Sequence, residues 1–358
     1  MTQQPLGIGV IGCGYWGPNL IRNFNQISSS RVIVGSDLSE ERLGHMKNLY
    51  PHLRTTRDYK ELLANDDIHA IAIATPPRSH FEIAMDCLEA GKHVFVEKPL
   101  ATATNQCEAL IATARKNNLT LMVGHTFVYT AAVNKIKEVI ESGELGDVYY
   151  INTTRVNLGI FQDDINVVWD LAPHDVSIMN YILDSMPEEV TAQGHGYIRN
   201  EVEDVAFLTI KYPGSVMAHI HVSWLNPNKL RSTTVVGSKK MLVYDDISSL
   251  EKIRIYDKGV TVQPHYDTFG EFQLSYRFGD IFIPKLDDSE PLKIACQHFT
   301  DCIREGRTPR SSAEHGLDVV RVIEASDESL ALGGAAIPLT GHAAAAVPSN
   351  TPEAKKKK

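Results

Sequence analysis

Long apolar runs are missing from this chain. None of its 358 residues lies in a stretch approaching the roughly 20 apolar residues that span a bilayer, which argues against a transmembrane segment. A basic leader is missing too. Met1-Thr2-Gln3-Gln4-Pro5 contains no Lys or Arg and runs straight into an apolar segment, so no secretory signal is visible and the expected location is cytoplasmic. Cysteine is sparse: Cys13, Cys87, Cys107, Cys296 and Cys302 are scattered without Cys-x-x-Cys spacing. That pattern fits reduced thiols and excludes a disulfide framework or a cysteine zinc site. Positive charge is in deficit, with 35 Lys and Arg against 44 Asp and Glu and a net charge of −9. A nucleic-acid partner is therefore not expected, and an anionic ligand needs a local basic pocket. No metal is called for. His219 and His221, two apart on one strand face, are the metal-like pair, and exposed or interface histidines account for them better. No internal repeat is present.

What remains is an ordinary globular composition, 43% hydrophobic and 22% charged, on a chain long enough for two domains with sizeable cores. The first part alternates strands and helices. Leu6 to Ile11 is an apolar, β-branched run, followed by Gly12-Cys13-Gly14-Tyr15-Trp16-Gly17 and then Leu20, Ile21 and Phe24 at helical spacing. G-x-G-x-x-G between a strand and a helix permits a tight turn, a close backbone approach by a pyrophosphate, and close helix–strand packing. The helix N-terminus then offers its amides to the phosphate. A second strand, Arg31 to Ser36, ends at Asp37, 20 residues after Gly17. A carboxylate there accepts hydrogen bonds from the adenosine ribose and repels a 2′-phosphate, and Leu38-Ser39 supplies no arginine to receive one. NAD is expected rather than NADP. The competing reading of Asp37 is a helix N-cap.

Further helices are expected over 39–50, 57–64, 79–90 and 104–117, with strands at 70–74, 93–96 and 120–124. The fold class that follows is α/β: a Rossmann dinucleotide-binding domain over residues 1–125. Thr75-Pro76-Pro77 sits at a strand's carboxyl end, where it either passes under the nicotinamide ribose or is simply a rigid turn. Glu97-Lys98-Pro99 sits at another. A Glu-Lys-Pro triplet alone usually means a surface turn, but the carboxyl ends of parallel strands are where ligands bind.

The second part reads differently. After a helix over 130–142, β-runs at 148–156, 188–198, 203–211, 215–224, 231–236 and 240–245 suggest an α+β domain with a large, mostly antiparallel open sheet over residues 126–340. One helical insert interrupts it, and helices 291–305 and 313–332 close it. Residues 341–358 form an Ala/Pro-rich tail ending in four lysines, expected to be disordered. Within the insert, Trp169-Asp170-Leu171-Ala172-Pro173-His174-Asp175 is dense in chemistry. Proline suits a first helical turn, so the helix is expected to begin near 170–173, with Asp170 and His174 on one face. His174 is then a general base whose ring Asp170 orients, or Asp170 merely caps and His174 is structural.

Together the glycine motif, Asp37, Lys98 in Glu97-Lys98-Pro99-Leu100, and Asp170 with His174 resemble the glucose–fructose oxidoreductase/inositol dehydrogenase (Gfo/Idh/MocA) family over nearly the whole chain. The resemblance implies an NAD-dependent sugar dehydrogenase. Lys98 lies near the nicotinamide and a substrate hydroxyl, His174 is the acid/base, and Asp170 stands beside it. Gly12, Gly14, Tyr15, Trp16, Gly17, Asp37, Thr75, Pro76, Pro77, His80, Glu97, Lys98 and Trp169 fall to the cofactor. It also implies a homo-oligomer, dimer or tetramer, formed through the open sheet. The stretch Ser223-Trp224-Leu225-Asn226-Pro227-Asn228-Lys229-Leu230-Arg231, with Val235-Val236-Gly237-Ser238 and Tyr244-Asp245-Asp246, is similar to the branch acting on nucleotide-activated sugars. Its members oxidise the 3-hydroxyl of UDP-N-acetylglucosamine or its uronate for surface-polysaccharide and lipid A synthesis. Beside Lys98, Asp170 and His174, the substrate residues by position are Arg155, Asn157, Lys229 and Arg231. For Lys229 and Arg231 a solvated turn or an interface contact competes. Other readings are a keto-sugar reductase, an inositol or hexose dehydrogenase, and a non-catalytic NAD-binding regulator.

Overall fold

Strands buried on both faces must be apolar throughout, and the first sheet is built from such runs. In the computed structural model, which describes residues 4–162, 165–261 and 275–339, they are β1 (Leu6–Ile11), β2 (Ser30–Ser36), β3 (Arg54–Thr56), β4 (Ala70–Ile73), β5 (His93–Val96) and β6 (Leu121–Val123). All pair in parallel, in the order β3-β2-β1-β4-β5-β6. Helices α1 (Gly17–Gln26), α2 (Glu40–Leu49), α3 (Lys60–Leu63), α4 (His80–Glu89) and α5 (Thr104–Lys116) make the crossovers. This is the doubly wound Rossmann arrangement, with its switch in strand order between β1 and β4. The loops after β1, β4 and β5 therefore open on one edge. β3 is the strand without an apolar run to announce it; Arg-Thr-Thr is polar because it lies at the sheet's outer edge.

After α6 (Ala131–Glu141) the chain builds a nine-stranded sheet. Its members are β7 (Val148–Val156), β8 (Glu189–His195), β9 (Val205–Lys211), β10 (Met217–Ser223), β11 (Leu230–Gly237), β12 (Met241–Asp245), β13 (Ile253–Thr261), β14 (Ser275–Phe282) and β15 (Ile337–Pro338). The order is β14-β13-β12-β11-β7-β10-β9-β8-β15, antiparallel except for the β7–β10 pair. One face packs on α7 (Val167–Leu183) and α9 (Ala313–Ala331) through a core that includes Ile151, Val176, Met179, Leu208, Ile220 and Val322. On the other face Tyr150, Phe207 and Met217 are exposed. The six expected runs became β7 to β12. β13, β14 and β15 were not foreseen: Arg254, Asp257, Lys258, Arg277 and Asp280 interleave charge into β13 and into β14, which is the sheet's edge, and β15 is two residues long.

Helix α8 (Pro291–Glu305) departs from expectation. Rather than closing the second sheet, it returns to the first layer. There Phe299 meets Phe24 and Phe95 at 6.3 and 5.8 Å between ring centres, and Arg22 pairs with Glu290. Its buried face (Leu292, Ala295, Cys296, Phe299) completes the apolar layer under β1 and β4. Helix α9 packs into both cores. Helix α7 begins three residues earlier than the sequence suggested, at Val167, because Asn166 caps it by accepting from Val168 N and Trp169 N at 3.1 Å each. Pro173 thus lies inside the helix, not in its first turn. The tail assigned to residues 341–358 lies outside the described residues. Among the described residues no helix is long and apolar enough to cross a membrane.

Candidate active site

The glycine loop after β1 meets each physical demand of a dinucleotide site. Gly12 takes φ +93°, and a Cβ there would stand 2.6 Å from the Ala74 carbonyl oxygen. A Cβ on Gly17 would collide with the Gly12 carbonyl. Gly14 is different: its nearest neighbour would be Arg42 Nη1 at 3.6 Å, so the space above it is open for a phosphate. No side chain caps α1, so the Gly17 and Asn19 amides meet no capping side chain, and Pro18 between them has no N–H to satisfy. Tyr15 and Trp16, 83% and 44% exposed, stand edge to face at this rim.

Asp37 follows β2 as expected. It is not a helix cap, because Ser39 caps α2. Its carboxylate instead accepts from Cys13 N at 2.7 Å and Ser39 N at 2.8 Å, tying the glycine loop to β2. The neighbourhood does contain an arginine: Arg42, one helical turn on, lies 3.5 Å from Asp37 Oδ2 and over Gly14. Sequence reading that stopped at Leu38-Ser39 missed it, since the helix folds residue 42 back onto 37.

The other two loops converge on the same edge. His80, fully buried, bridges them through Nδ1 to the Pro99 carbonyl (2.7 Å) and Nε2 to the Thr75 carbonyl (2.9 Å). It positions Thr75-Pro76-Pro77 against Lys98-Pro99 from beneath rather than presenting itself to a ligand. Glu97 is also buried, with Oε1 unpartnered, and burial pushes its carboxyl up to about 7 against the opposing pull of Lys98. Because the folded value exceeds the ordinary 4.5, the stability that Glu97 contributes is complete below that value and is lost as pH rises through about 7. Glu97→Gln is therefore expected to raise stability at about pH 8 by up to about 3 kcal/mol relative to wild type, and to change little near pH 4. Urea unfolding at both pH values checks this; parallel pH profiles would contradict it.

Lys98 reaches across to α7. Its Nζ donates to the Asp170 carbonyl at 2.8 Å and lies 3.6 Å from Asp170 Oδ1. Proline inside a helix removes a donor and crowds the preceding turn, and Pro173 does so in the turn where Lys98 docks. Asp170 Oδ2 accepts from Trp224 Nε1 at 2.9 Å. Trp224 is 1% exposed and packs against Gly159 and Phe161. The expectation that Asp170 orients the imidazole is thus corrected: it holds Lys98. His174 Nδ1 has no hydrogen-bond partner, and the half-buried ring stands edge to face with Phe127 at 5.0 Å. Burial first, then Lys98, Arg155, His125 and Arg231, keep His174 well below the ordinary 6.5, so the ring is held neutral.

Arg155 is buried and makes a bidentate pair with Asp175 at 2.8 and 2.9 Å, while its guanidinium lies 4.7 Å over the Phe127 ring. Phe127 and Asp175 were not singled out from sequence as site residues, nor was Trp224 as the partner of Asp170. His125 was also missed: 1% exposed, with both ring nitrogens unpartnered, it meets His315 at 5.5 Å. For Asp175 the signal was its place next to His174; for the aromatics there was none, since their contacts are long-range. Arg231 is half-buried beside Asp246. Asn157 is half-buried at the end of β7, and Lys229 is exposed in the turn before β11. Trp169 is turned aside, its indole donating to Asp327 in a cavity of about 420 Å³ with Thr102 and Glu203. His219 and His221 stack on Phe207 on the open sheet face, with centres 6.2 and 4.5 Å away. Among the described residues no group of three or more His, Cys, Asp or Glu side chains could hold a metal.

Comparisons with known proteins bear on the fold and the family. Residues 6–125 match the model of an oxidoreductase family with an NAD-binding Rossmann fold, and residues 133–243 match the Gfo/Idh/MocA C-terminal domain. The oxidoreductase YrbE of Bacillus subtilis is 25% identical over 345 residues, spanning 93% of this chain and 96% of that one. Myo-inositol 2-dehydrogenase of Thermotoga maritima is 24% identical over 347 residues, spanning 90% and 96%. Among solved structures, UDP-N-acetylglucosamine 3-dehydrogenase GnnA from Acidithiobacillus ferrooxidans has the same fold, with TM-score 0.76 and 21% identity over 92% of this chain and 98% of that one. With the parallel sheet, its glycine loop and the second sheet all matched, the chain belongs to the Gfo/Idh/MocA family of NAD-binding oxidoreductases.

Proposed function

We propose that the protein oxidises a secondary alcohol, the 3-hydroxyl, of a nucleotide-activated sugar such as UDP-N-acetylglucosamine or its uronate, with NAD as acceptor, giving a 3-keto sugar. The observation that carries this reading is the meeting of Lys98, from the first sheet, with α7 of the second layer, where His174 keeps a neutral, unpartnered nitrogen. The dinucleotide, when bound, supplies the hydride acceptor. Gly12, Gly14 and Gly17 shape its cradle, and Asp37 faces its ribose. His174 takes the hydroxyl proton. Lys98 places positive charge where the alkoxide develops, which favours the transition state over the ground state. Asp170 fixes Lys98 from both its carbonyl and its carboxylate. The open face of the second sheet is the contact between copies of the chain; light scattering that finds only monomers would remove it.

The nucleotide-sugar assignment rests on the wording of the segments 169–175 and 223–231. An inositol is the second reading, favoured by the Thermotoga maritima relative that carries that name. NADH formation with UDP-sugars, dTDP-sugars and myo-inositol separates them. Turnover of inositol with no UDP-sugar oxidised would replace the first reading by the second. A keto-acid acceptor added to silent reactions distinguishes trapped NADH from true inactivity. For the cofactor, Asp37→Ala is expected to weaken NAD binding by about 10- to 100-fold, the loss of charge-assisted hydrogen bonds. Unaltered affinity by NADH fluorescence titration removes the ribose assignment.

A further inference from the structure

Arg155 on β7 and Arg231 on β11 are direct cross-strand partners, so both side chains lie on the face that α7 covers. Like charges so placed repel, and each has an acid to offset it. Arg155 is fully engaged by Asp175 on one edge through Nε and Nη2. Arg231 is held loosely, 3.5 Å from Asp246, whose second oxygen already accepts from the Tyr244 hydroxyl at 2.9 Å. Two features remain unexplained. Arg155 is 5% exposed, yet its Nη1 has no partner. A buried guanidinium N–H without an acceptor is costly, so the site is incomplete as it stands. And Lys98, Arg155, His125 and Arg231 all depress His174, which an anion bound beside it would offset.

One singly charged acceptor resolves both. We propose that Arg155 Nη1 and Arg231 form a carboxylate subsite that holds the carboxyl group of a uronate-type sugar beside His174. The inference rests on the nucleotide-sugar reading and selects its carboxylated member. A single carboxylate suits the pair better than a diphosphate: Asp175 takes two N–H groups of Arg155, and Asp246 holds Arg231 at 3.5 Å, so the donors left are Nη1 of Arg155 and the loosely held fork of Arg231. Arg231 and His174 are themselves half-buried.

The test compares kcat/KM for UDP-N-acetylglucosaminuronate and UDP-N-acetylglucosamine with NAD, together with calorimetric binding of both, and of the free uronate sugar, to the NADH-loaded protein. The wild type is expected to favour the carboxylated nucleotide sugar by about 10- to 100-fold and to bind the free uronate. Arg231→Met should bring the ratio to within about threefold, and Arg231→Lys, which keeps the charge without the fork, should give an intermediate ratio. If Arg231→Met does not fold by circular dichroism, the wild-type ratio and Arg231→Lys decide. Equal preference in the wild type, or a preference that survives Arg231→Met, overturns the subsite. Preference for the diphosphate arm alone, with no binding of the free uronate, overturns it as well. If neither nucleotide sugar is turned over, the functional reading falls, and the calorimetry alone decides the subsite.

Discussion

His174→Ala is expected to lower kcat/KM for sugar oxidation by about 100- to 10,000-fold, the usual worth of a positioned general base. NAD affinity should hold, because the ring lies on α7 and not among the loops of the parallel sheet. The pH profile sharpens the assignment. Burial, with Lys98, Arg155, His125 and Arg231, keeps the imidazole neutral well below pH 6.5, so in the wild type the acid limb belonging to this base falls below that value. A limb near pH 7 belongs to Glu97, whose carboxyl burial raises to about 7, and it disappears in Glu97→Gln while the lower limb stays. Stopped-flow NADH formation across the pH range measures both limbs. A single limb at the ordinary histidine value, unmoved by Glu97→Gln, would contradict the geometry.

Lys98→Met should cost about 100- to 1,000-fold in kcat, comparable to losing one preorganised donor at a developing oxyanion. The substitution keeps the length of the side chain and removes the charge. Its effect should fall mainly on kcat, because Lys98 interacts most strongly with a charge that exists only in the transition state. Asp170→Asn, which keeps the backbone carbonyl that receives Lys98 at 2.8 Å, should be milder than Lys98→Met. If Asp170→Asn instead matched His174→Ala, Asp170 would be acting on the imidazole after all. Separate kcat and KM values for the three variants decide this.

The first sheet was legible because its strands are buried on both faces and so carry unbroken apolar runs, with Gly12, Gly14 and Gly17 and the prolines at 76, 77 and 99 marking the turns. Local chemistry also singled out Lys98 and His174 as candidates, each within a short motif. What sequence did not reveal depends on contacts far along the chain. Trp224 reaches Asp170 across 54 residues, and Arg155 reaches Asp175 across 20. The placement of Pro173 inside α7 was hidden because Asn166, outside the dense motif, is the cap. The return of α8 to the first layer was hidden for the same reason: an amphipathic face does not name its partner. Phe299 could have packed on either core, and the stack with Phe24 and Phe95 decides it. β13 was obscured by charge on its exposed face although Ile253 and Ile255 face the core.

The central claim is that an ammonium from the first sheet and an imidazole from α7 act as one unit on one hydroxyl. A double-variant cycle of Lys98→Met and His174→Ala, read as kcat/KM for NADH formation with the nucleotide sugar that gives turnover, tests it most directly. Groups that act as a unit lose little more together than the worse single variant, so the double variant is expected within about tenfold of that single. Losses that multiply in full would show two independent contributions and contradict a shared site.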